Sequence, residues 1–118
     1  MGKLSTHVLD TANGCPAAGM QVTLQRLAAD GRAETIRSVR LDGDGRSGGP
    51  LLEGAALARG RYRLLFGVAD YFRARGAALA DPPFLDEVSL DFGVADTSAS
   101  YHVPLLASPW SYATYRGS

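Results

Sequence analysis

Hydrophobic and polar residues alternate in several short segments of the chain, with the period of two that is typical of β-strands. The clearest case is residues 60–66, where Tyr62, Leu64 and Phe66 are predicted to face a core. Within residues 20–27, Val22 and Leu24 are predicted to point inward in the same way. Further strands are predicted at residues 4–10, 35–41, 50–52 and 88–92. Two more are predicted near the end of the chain, one before and one after a turn at Ser108-Pro109.

One segment lacks the period of two and predicts a helix. Residues 69–75, about two helical turns, are bounded by Gly67 and Gly76. The 14 glycines and 6 prolines of the chain separate its strands at short intervals, and Asp30-Gly31 predicts a hairpin turn. About eight short strands and one short helix predict an all-β fold, a β-sandwich of two sheets, in one domain that covers residues 1–118.

Alternation also assigns the side chains of each strand to faces. In the first strand, His7 shares one face with Ser5 and Leu9. The strand before the Ser108-Pro109 turn is predicted to place Tyr101, Val103 and Leu105 on one face. His102 then points to the other face, and Arg116 is expected near the end of the last strand. The strand at residues 35–41 is predicted to place four residues on one face, namely Thr35, Arg37, Val39 and Leu41.

The charge balance and the cysteine count exclude several classes of partner and site. Lysine and arginine together number 12, as do aspartate and glutamate, so no net field favours nucleic acid or an anionic membrane. Cys15 is the single cysteine, so no internal disulfide is expected. The first residues, with Lys3, Ser5 and Thr6, show no signal pattern, and no apolar run reaches the length of a membrane span. A cytoplasmic location is therefore expected.

No metal or cofactor site is expected. Two histidines and one cysteine without paired local spacing do not form a zinc ligand set. The turn Asp42-Gly43-Asp44-Gly45 begins as calcium loops do, and Glu53 falls at the twelfth position. Flanking helices are not predicted, however, because Gly48-Gly49-Pro50 is not a helix start. Cys15 lies beside a proline without a neighbouring base, which disfavours a nucleophilic role and leaves hydrolysis by activated water.

The two histidines, His7 and His102, are the residues most suited to acid–base chemistry. Each lies in a predicted strand among apolar residues, a setting that is also typical of a buried histidine held by a backbone carbonyl. In the alternative interpretation the two neutral imidazoles converge, so that one takes a proton from water and the other orients or donates. Arg46, after Gly45 in a tight turn, and Arg116, in an aromatic-rich strand, present guanidinium donors that suit a planar, oxygen-rich ligand.

Two stretches of the chain resemble the 5-hydroxyisourate hydrolases, the transthyretin-like enzymes of urate breakdown. The first runs Leu4-Ser5-Thr6-His7-Val8-Leu9-Asp10-Thr11. The second runs Tyr101-His102-Val103-Pro104-Leu105-Leu106, continues with Ser108-Pro109, and closes with the signature Tyr115-Arg116-Gly117-Ser118. The resemblance spans nearly the whole chain and implies a transthyretin sandwich. It also implies a homotetramer whose active sites lie in a channel at the interface between dimers.

The resemblance further implies an activity, the hydrolysis of 5-hydroxyisourate to 2-oxo-4-hydroxy-4-carboxy-5-ureidoimidazoline in purine degradation, without a metal. It assigns catalytic positions to His7, Arg46, His102 and Ser118. It assigns substrate-binding positions to His7, Arg46, Tyr115, Arg116, Gly117 and Ser118. Two alternatives are a transthyretin-type carrier of a small aromatic ligand, a class that lacks this set of residues, and a structural sandwich module, in which the set would not cluster.

Overall fold

The computed structural model describes residues 2–117, which form two β-sheets, one α-helix and one short 3-10 helix. The helix, α1, spans Val68–Ala74, and the 3-10 helix spans Gly54–Ala56. Nine strands are found in the described residues, namely β1 (Lys3–Asp10), β2 (Cys15–Pro16), β3 (Gln21–Leu27), β4 (Ala33–Arg40), β5 (Leu52–Glu53), β6 (Gly60–Phe66), β7 (Val88–Val94), β8 (Tyr101–Ala107) and β9 (Tyr112–Thr114). The predicted all-β fold with one short helix is therefore confirmed.

The two sheets differ in how their strands are connected. The first sheet has the order β2-β1-β8-β9, with β5 paired to the start of β1. The second has the order β4-β3-β6-β7 and is antiparallel throughout. In the first sheet β1 and β8 run parallel, with Leu4 opposite Tyr101 and Asp10 opposite Ala107. This pairing brings together two segments that lie almost a whole chain apart in sequence.

The core lies between the sheets and is built from alternate residues of their strands. From β6, Tyr62, Leu64 and Phe66 are fully buried, as the alternation predicts. The facing side chains of the first sheet include Leu4, Val8 and Leu105, which are also fully buried. Burial of one such side chain stabilises the fold by about 1.5–3 kcal/mol. The opposite residues of β1 and β8 consequently lie on an outer face of the molecule.

Strand β4 departs from its predicted face because it contains a bulge. Leu24 of β3 pairs with Arg37, but the next residue, Gln25, pairs with Thr35, so Ile36 is an extra residue. An extra residue reverses the alternation beyond it. Thr35 therefore lies on the outer face, where its hydroxyl accepts a hydrogen bond of 3.3 Å from Gln25 Nε2. The prediction of one face is therefore wrong for Thr35 but holds for Arg37 and Val39, which lie opposite Leu24 and Val22. Leu41 lies just beyond the strand.

Several predicted boundaries also differ from the structure. Residues 15–16 lie outside the predicted strands but form β2, which pairs with the end of β1. The helix begins and ends one residue earlier than predicted. The last strand ends at Thr114, and Arg116 lies two residues beyond it. Within the described part of the chain, no helix has the length and apolar character needed to cross a membrane.

Candidate functional site

The outer face of the first sheet carries both histidines. Ser5 and His7 of β1 and His102 of β8 are half-buried. The residues that alternate with them along the two strands, such as Thr6 and Val103, are buried on the core side. The parallel register sets Ser5 opposite His102 and His7 opposite Pro104. The two imidazoles are therefore diagonal neighbours on one surface, which agrees with the interpretation that the histidines converge.

His102 is held on three sides. Its Nδ1 lies 2.8 Å from the hydroxyl oxygen of Ser5. Its backbone carbonyl accepts a 2.7 Å hydrogen bond from the N–H of Gly117. Gly117 also packs against the ring, because a Cβ added there would lie 2.7 Å from His102 Cδ2. Glycine at this position allows the terminal segment to lie flat on the imidazole.

The surroundings of His102 favour its neutral form. Burial lowers the pKa of this imidazole below its ordinary value of 6.5, and the positive charges of Arg46 and His7 lower it further. Desolvation and like charge both penalise a cation, so all three causes act in the same direction. Near neutral pH, His102 is therefore an uncharged group with a nitrogen able to accept a proton.

His7 has a defined tautomer when it is neutral. Its Nε2 lies 2.8 Å from the backbone carbonyl oxygen of Asp44. A carbonyl oxygen can only accept a hydrogen bond, so Nε2 carries the hydrogen and donates a hydrogen bond to this oxygen. The lone pair of the neutral ring then lies on Nδ1. The turn that follows β4 thus orients His7 as well as supplying Arg46.

The turn at residues 42–46 fixes the backbone of Arg46 beside His7. The Asp42 carboxylate accepts hydrogen bonds from the N–H groups of Asp44, at 2.9 Å, and Arg46, at 3.1 Å. Arg46 forms an antiparallel bridge with His7, and Val8 N–H donates to the carbonyl of Gly45 at 3.0 Å. The exposed Arg46 side chain consequently starts from the same face as the histidines.

Gly45 is required in this turn for two reasons. Its φ of +73° is in the left-handed region, which favours glycine. A Cβ would also overlap the carbonyl oxygen of Val8. The turn can therefore close onto β1 only with glycine immediately before Arg46.

The remaining predicted site residues lie apart from the histidine face or outside the described residues. The Arg116 guanidinium lies 4.3 Å from the ring centre of Tyr101, a core-side residue of β8, and 3.4 Å from the Ser100 carbonyl. Tyr115 is 60% exposed. Both line a cleft of about 370 Å³ between the edges of β7 and β9. Ser118 lies outside the described residues.

Sequence reasoning missed Ser5 and the carbonyl of Asp44 as groups that contact the histidines. Ser5 was assigned to the face of His7, but alternation does not reveal which strand lies beside β1. Only the parallel pairing of β1 with β8 places Ser5 against His102. Within residues 2–117, no cluster of three or more His, Cys, Asp or Glu side chains could hold a metal ion.

The face offers a neutral imidazole, a second imidazole of fixed tautomer, and the exposed guanidinium of Arg46, which has no hydrogen-bond partner within residues 2–117. The first, His102, is uncharged near neutral pH because its pKa lies below the ordinary histidine value, so it can accept a proton from water. The guanidinium of Arg46 can bind and stabilise an oxygen that gains negative charge. These are the elements needed to hydrolyse a polar, oxygen-rich substrate, and they do not resemble an apolar binding surface.

Comparison with known proteins places this arrangement in a family. The chain is 58% identical over 118 residues to a 5-hydroxyisourate hydrolase of Ralstonia nicotianae, covering 100% of both chains. Among solved structures, the 5-hydroxyisourate hydrolase of Klebsiella pneumoniae matches with a TM-score of 0.81 and 31% identity, covering 100% of both chains. Sea bream transthyretin in complex with thyroxine matches with a TM-score of 0.86 and 26% identity, covering 98% of this chain and 94% of that one.

A fourth match is longer than this chain. The crystal structure of an (S)-allantoin synthase matches with a TM-score of 0.93 and 44% identity, covering 99% of this chain but only 44% of that protein. The profile of the HIUase/Transthyretin family matches residues 4–117. The predicted transthyretin-like sandwich is thus confirmed, and the chain belongs to the HIUase/Transthyretin family.

Proposed function

We propose that this protein is a 5-hydroxyisourate hydrolase that yields 2-oxo-4-hydroxy-4-carboxy-5-ureidoimidazoline in purine degradation. The observation that carries the proposal is the meeting of His7, His102 and Arg46 on one face of the first sheet. Relatives with this activity in their names align along the full length of the chain, at 58% identity in one case. We also propose that residues 1–118 form a single transthyretin-like domain, which the family match over residues 4–117 supports.

In the proposed mechanism, His102 activates the water. Its Nε2 has no hydrogen-bond partner within residues 2–117, while Nδ1 is held by Ser5. Nε2 takes a proton from water, and the water oxygen attacks a carbonyl carbon of the substrate ring. Arg46 stabilises the oxyanion that forms on that carbonyl. The carbon–nitrogen bond then breaks, and the leaving nitrogen takes a proton from the histidine pair, so the ring opens without a metal or cofactor.

The other predicted residues are proposed to bind the substrate. His7 orients the water or the substrate through Nδ1, because its Nε2 is bonded to the Asp44 carbonyl. Gly117 presents backbone beside His102, where a ligand can approach closely. Tyr115, Arg116 and Ser118 are proposed to complete the site in the channel between copies of the chain. In a single chain the Arg116 guanidinium rests on Tyr101, so its contact with substrate requires a different rotamer or a neighbouring copy.

We propose that the protein assembles as a homotetramer with active sites at the dimer–dimer interface. The histidine face is half-buried on a sheet surface and is open in one chain, so a second copy would exclude water from it. Within residues 2–117, β7 and β9 are edge strands, and they flank the cleft that contains Leu90 and Phe92. Charged residues on β4, the opposite edge, disfavour pairing there.

Sedimentation of the purified protein tests the assembly. Tyr112 on β9 and Ile36 on β4 are both exposed, at 45% and 39%. Tyr112→Glu is expected to weaken the tetramer and reduce activity, whereas the matched variant Ile36→Glu leaves both unchanged. A fully active monomer would contradict the proposed assembly.

We further propose a cytoplasmic location, which a chain with one cysteine suits.

A carrier of a small aromatic ligand is the second candidate, and the likeness to thyroxine-bound transthyretin favours it. An assay separates the two candidates. The protein is added to freshly generated 5-hydroxyisourate, and the decay of its near-ultraviolet absorbance is followed against the spontaneous reaction. The hydrolase accelerates the decay, and His102→Ala or His7→Ala each lower the rate about 100-fold or more while the fold is retained. Decay at the spontaneous rate, with saturable binding of an aromatic ligand, would establish the carrier instead.

A further inference from the structure

Ser5 contacts a histidine, yet the mechanism above gives its side chain no chemical step. Its hydroxyl oxygen lies 2.8 Å from His102 Nδ1, across the pair that the parallel register of β1 and β8 creates. This is the one side-chain hydrogen bond that His102 makes within residues 2–117. Both side chains project from strands whose backbones are paired, so the contact is rigid.

We propose that Ser5 is the positioning residue for His102: it fixes the ring with Nε2 toward the reacting water and accepts the Nδ1–H when His102 becomes protonated. This inference rests on the proposed function. A protonated imidazole has two N–H donors and no acceptor. The neutral ring that can take a proton at Nε2 carries its own hydrogen on Nδ1, so Nδ1–H donates to Ser5 Oγ, the acceptor in reach, before the step. After Nε2 has taken the proton from water, the same bond is donated by a cation and is stronger.

The other neighbours of His102 oppose its protonation. Burial, Arg46 and His7 all lower the pKa of this imidazole. Lys3 lies on the same face of β1 and pairs in register with the oppositely charged Glu53 of β5. From the terminal segment, Gly117 contributes backbone against the ring. Ser5 is thus the neighbour that stabilises the imidazolium, and its role resembles that of the group that orients the histidine in a catalytic triad.

A purely structural role for Ser5 would predict different consequences. In that case the hydroxyl would serve to fill one hydrogen bond of a half-buried pair, and its loss would lower the free energy of unfolding without changing the titration of His102. A positioning role instead predicts a lower kcat with little change in KM, and an altered pH profile. The two roles are distinguished by the variants Ser5→Ala and Ser5→Thr.

The experiment compares wild type, Ser5→Ala, Ser5→Thr and the matched control Ser38→Ala. Ser38 is a strand serine of β4 whose hydroxyl is also hydrogen-bonded, to Gln21 and Thr23, on the far sheet. Loss of a group that orients a functional histidine typically costs about 10-fold to 100-fold. Ser5→Ala is expected to lower kcat by this amount and to move the acid limb of the pH profile to lower pH, because the imidazolium loses its acceptor. Ser5→Thr restores both, and Ser38→Ala changes neither.

The titration of His102, followed by NMR of its ring nitrogens, provides a readout that does not depend on turnover. If wild type does not hydrolyse 5-hydroxyisourate, the proposed function fails, while a lower pKa of His102 in Ser5→Ala still supports the contact. If wild type is active and Ser5→Ala has an unchanged kcat or an unchanged pKa of His102, the positioning role is overturned. A loss of activity in Ser38→Ala equal to that in Ser5→Ala would overturn it as well.

Discussion

At the scale of single residues, the protonation of His102 results from opposing contacts. Burial and the charges of Arg46 and His7 lower the pKa of the imidazole, while Ser5 supplies an acceptor for its protonated form. A base must be neutral in order to act, so a lowered pKa keeps His102 competent under mildly acidic conditions. Arg46 thus has two effects, one on the substrate oxygen and one on the base.

Replacement of Arg46 by methionine separates these two effects. Removal of the positive charge raises the pKa of His102 toward its ordinary value of 6.5, so the acid limb of kcat/KM moves to higher pH, opposite to the shift expected for Ser5→Ala. The plateau falls by about 10²–10³, the usual effect of losing an oxyanion donor. Rates from pH 4 to 8 measure both. The control is Arg40→Met, which removes an exposed guanidinium bound to the Gly19 carbonyl. If the acid limb of the pH profile does not move in Arg46→Met, the charge of Arg46 does not lower the pKa of His102.

Gly117 gives a second prediction at this scale. In Gly117→Ala the new Cβ would lie 2.7 Å from His102 Cδ2, so the ring or the terminal segment must shift. A displacement of about 1 Å can cost 10²-fold in rate, and we expect a loss of that order with an almost unchanged melting temperature. Gly67→Ala is the matched control, because its Cβ would meet Gln21 O at an ordinary 3.5 Å. Full activity in Gly117→Ala would show that the His102 ring need not stay where Gly117 allows it.

At the scale of secondary-structure elements, local sequence patterns predicted the strands and the pairs joined by a tight turn, β3 with β4 and β8 with β9. They did not predict the pairing of strands that are distant in sequence. Tyr62, Leu64 and Phe66 face the core because β6 is buried on one face, which imposes the period of two. Strand β4 is an exposed edge, so burial did not constrain its sequence and the bulge at Ile36 left no pattern. The pairing of β1 with β8 depends on the whole fold, and for that reason Ser5 could not be predicted as a neighbour of His102.

The turn that carries Arg46 is the element on which the site depends most. Gly45→Ala combines an unfavourable φ of +73° with an overlap between the new Cβ and the Val8 carbonyl oxygen. The turn must therefore move away from β1 and take Arg46 with it. We expect a large loss of activity and a loss of stability. Gly31→Ala is the matched control, since its φ of +87° is similar but a Cβ there meets nothing within 4 Å; it should cost only about 1–2 kcal/mol of backbone strain. Equal effects of the two variants on activity would contradict the role given to the turn.

At the scale of the whole molecule, Asp10 links the first sheet to helix α1, which follows the second sheet's strand β6. It is the last residue of β1 and is 1% exposed. Its carboxylate accepts a 2.7 Å hydrogen bond from the hydroxyl of Tyr71, on the helix that follows β6. It also accepts bonds from the N–H groups of Ala12 and Asn13 and from the Asn13 side chain. Burial raises the pKa of this carboxyl, but the hydrogen bonds outweigh burial and hold the pKa below its ordinary value of 3.8.

This network predicts how the protein responds to acid. Because the pKa of Asp10 is lower in the folded state than in the unfolded state, its contribution to stability is complete above the unfolded value, near 3.8, and is lost as the pH falls through the folded value. Asp10→Asn is expected to destabilise the fold at neutral pH by about 1.5–3 kcal/mol, the contribution of a hydrogen bond to a charged group. The same variant should remove part of the pH dependence of stability below 3.8.

Urea unfolding at pH 7 and at a series of acidic pH values measures both effects. Tyr71 gives an independent check, because its own pKa is raised by burial and then by its hydrogen bond to Asp10. Tyr71→Phe should lower stability and bring the pKa of Asp10 closer to 3.8. Asp30→Asn is the matched control, because the Asp30 carboxylate also accepts turn hydrogen bonds but is 54% exposed beside Arg32. If Asp10→Asn and Asp30→Asn unfold at the same urea concentration, the buried carboxylate does not hold helix α1 to the first sheet as its contacts indicate.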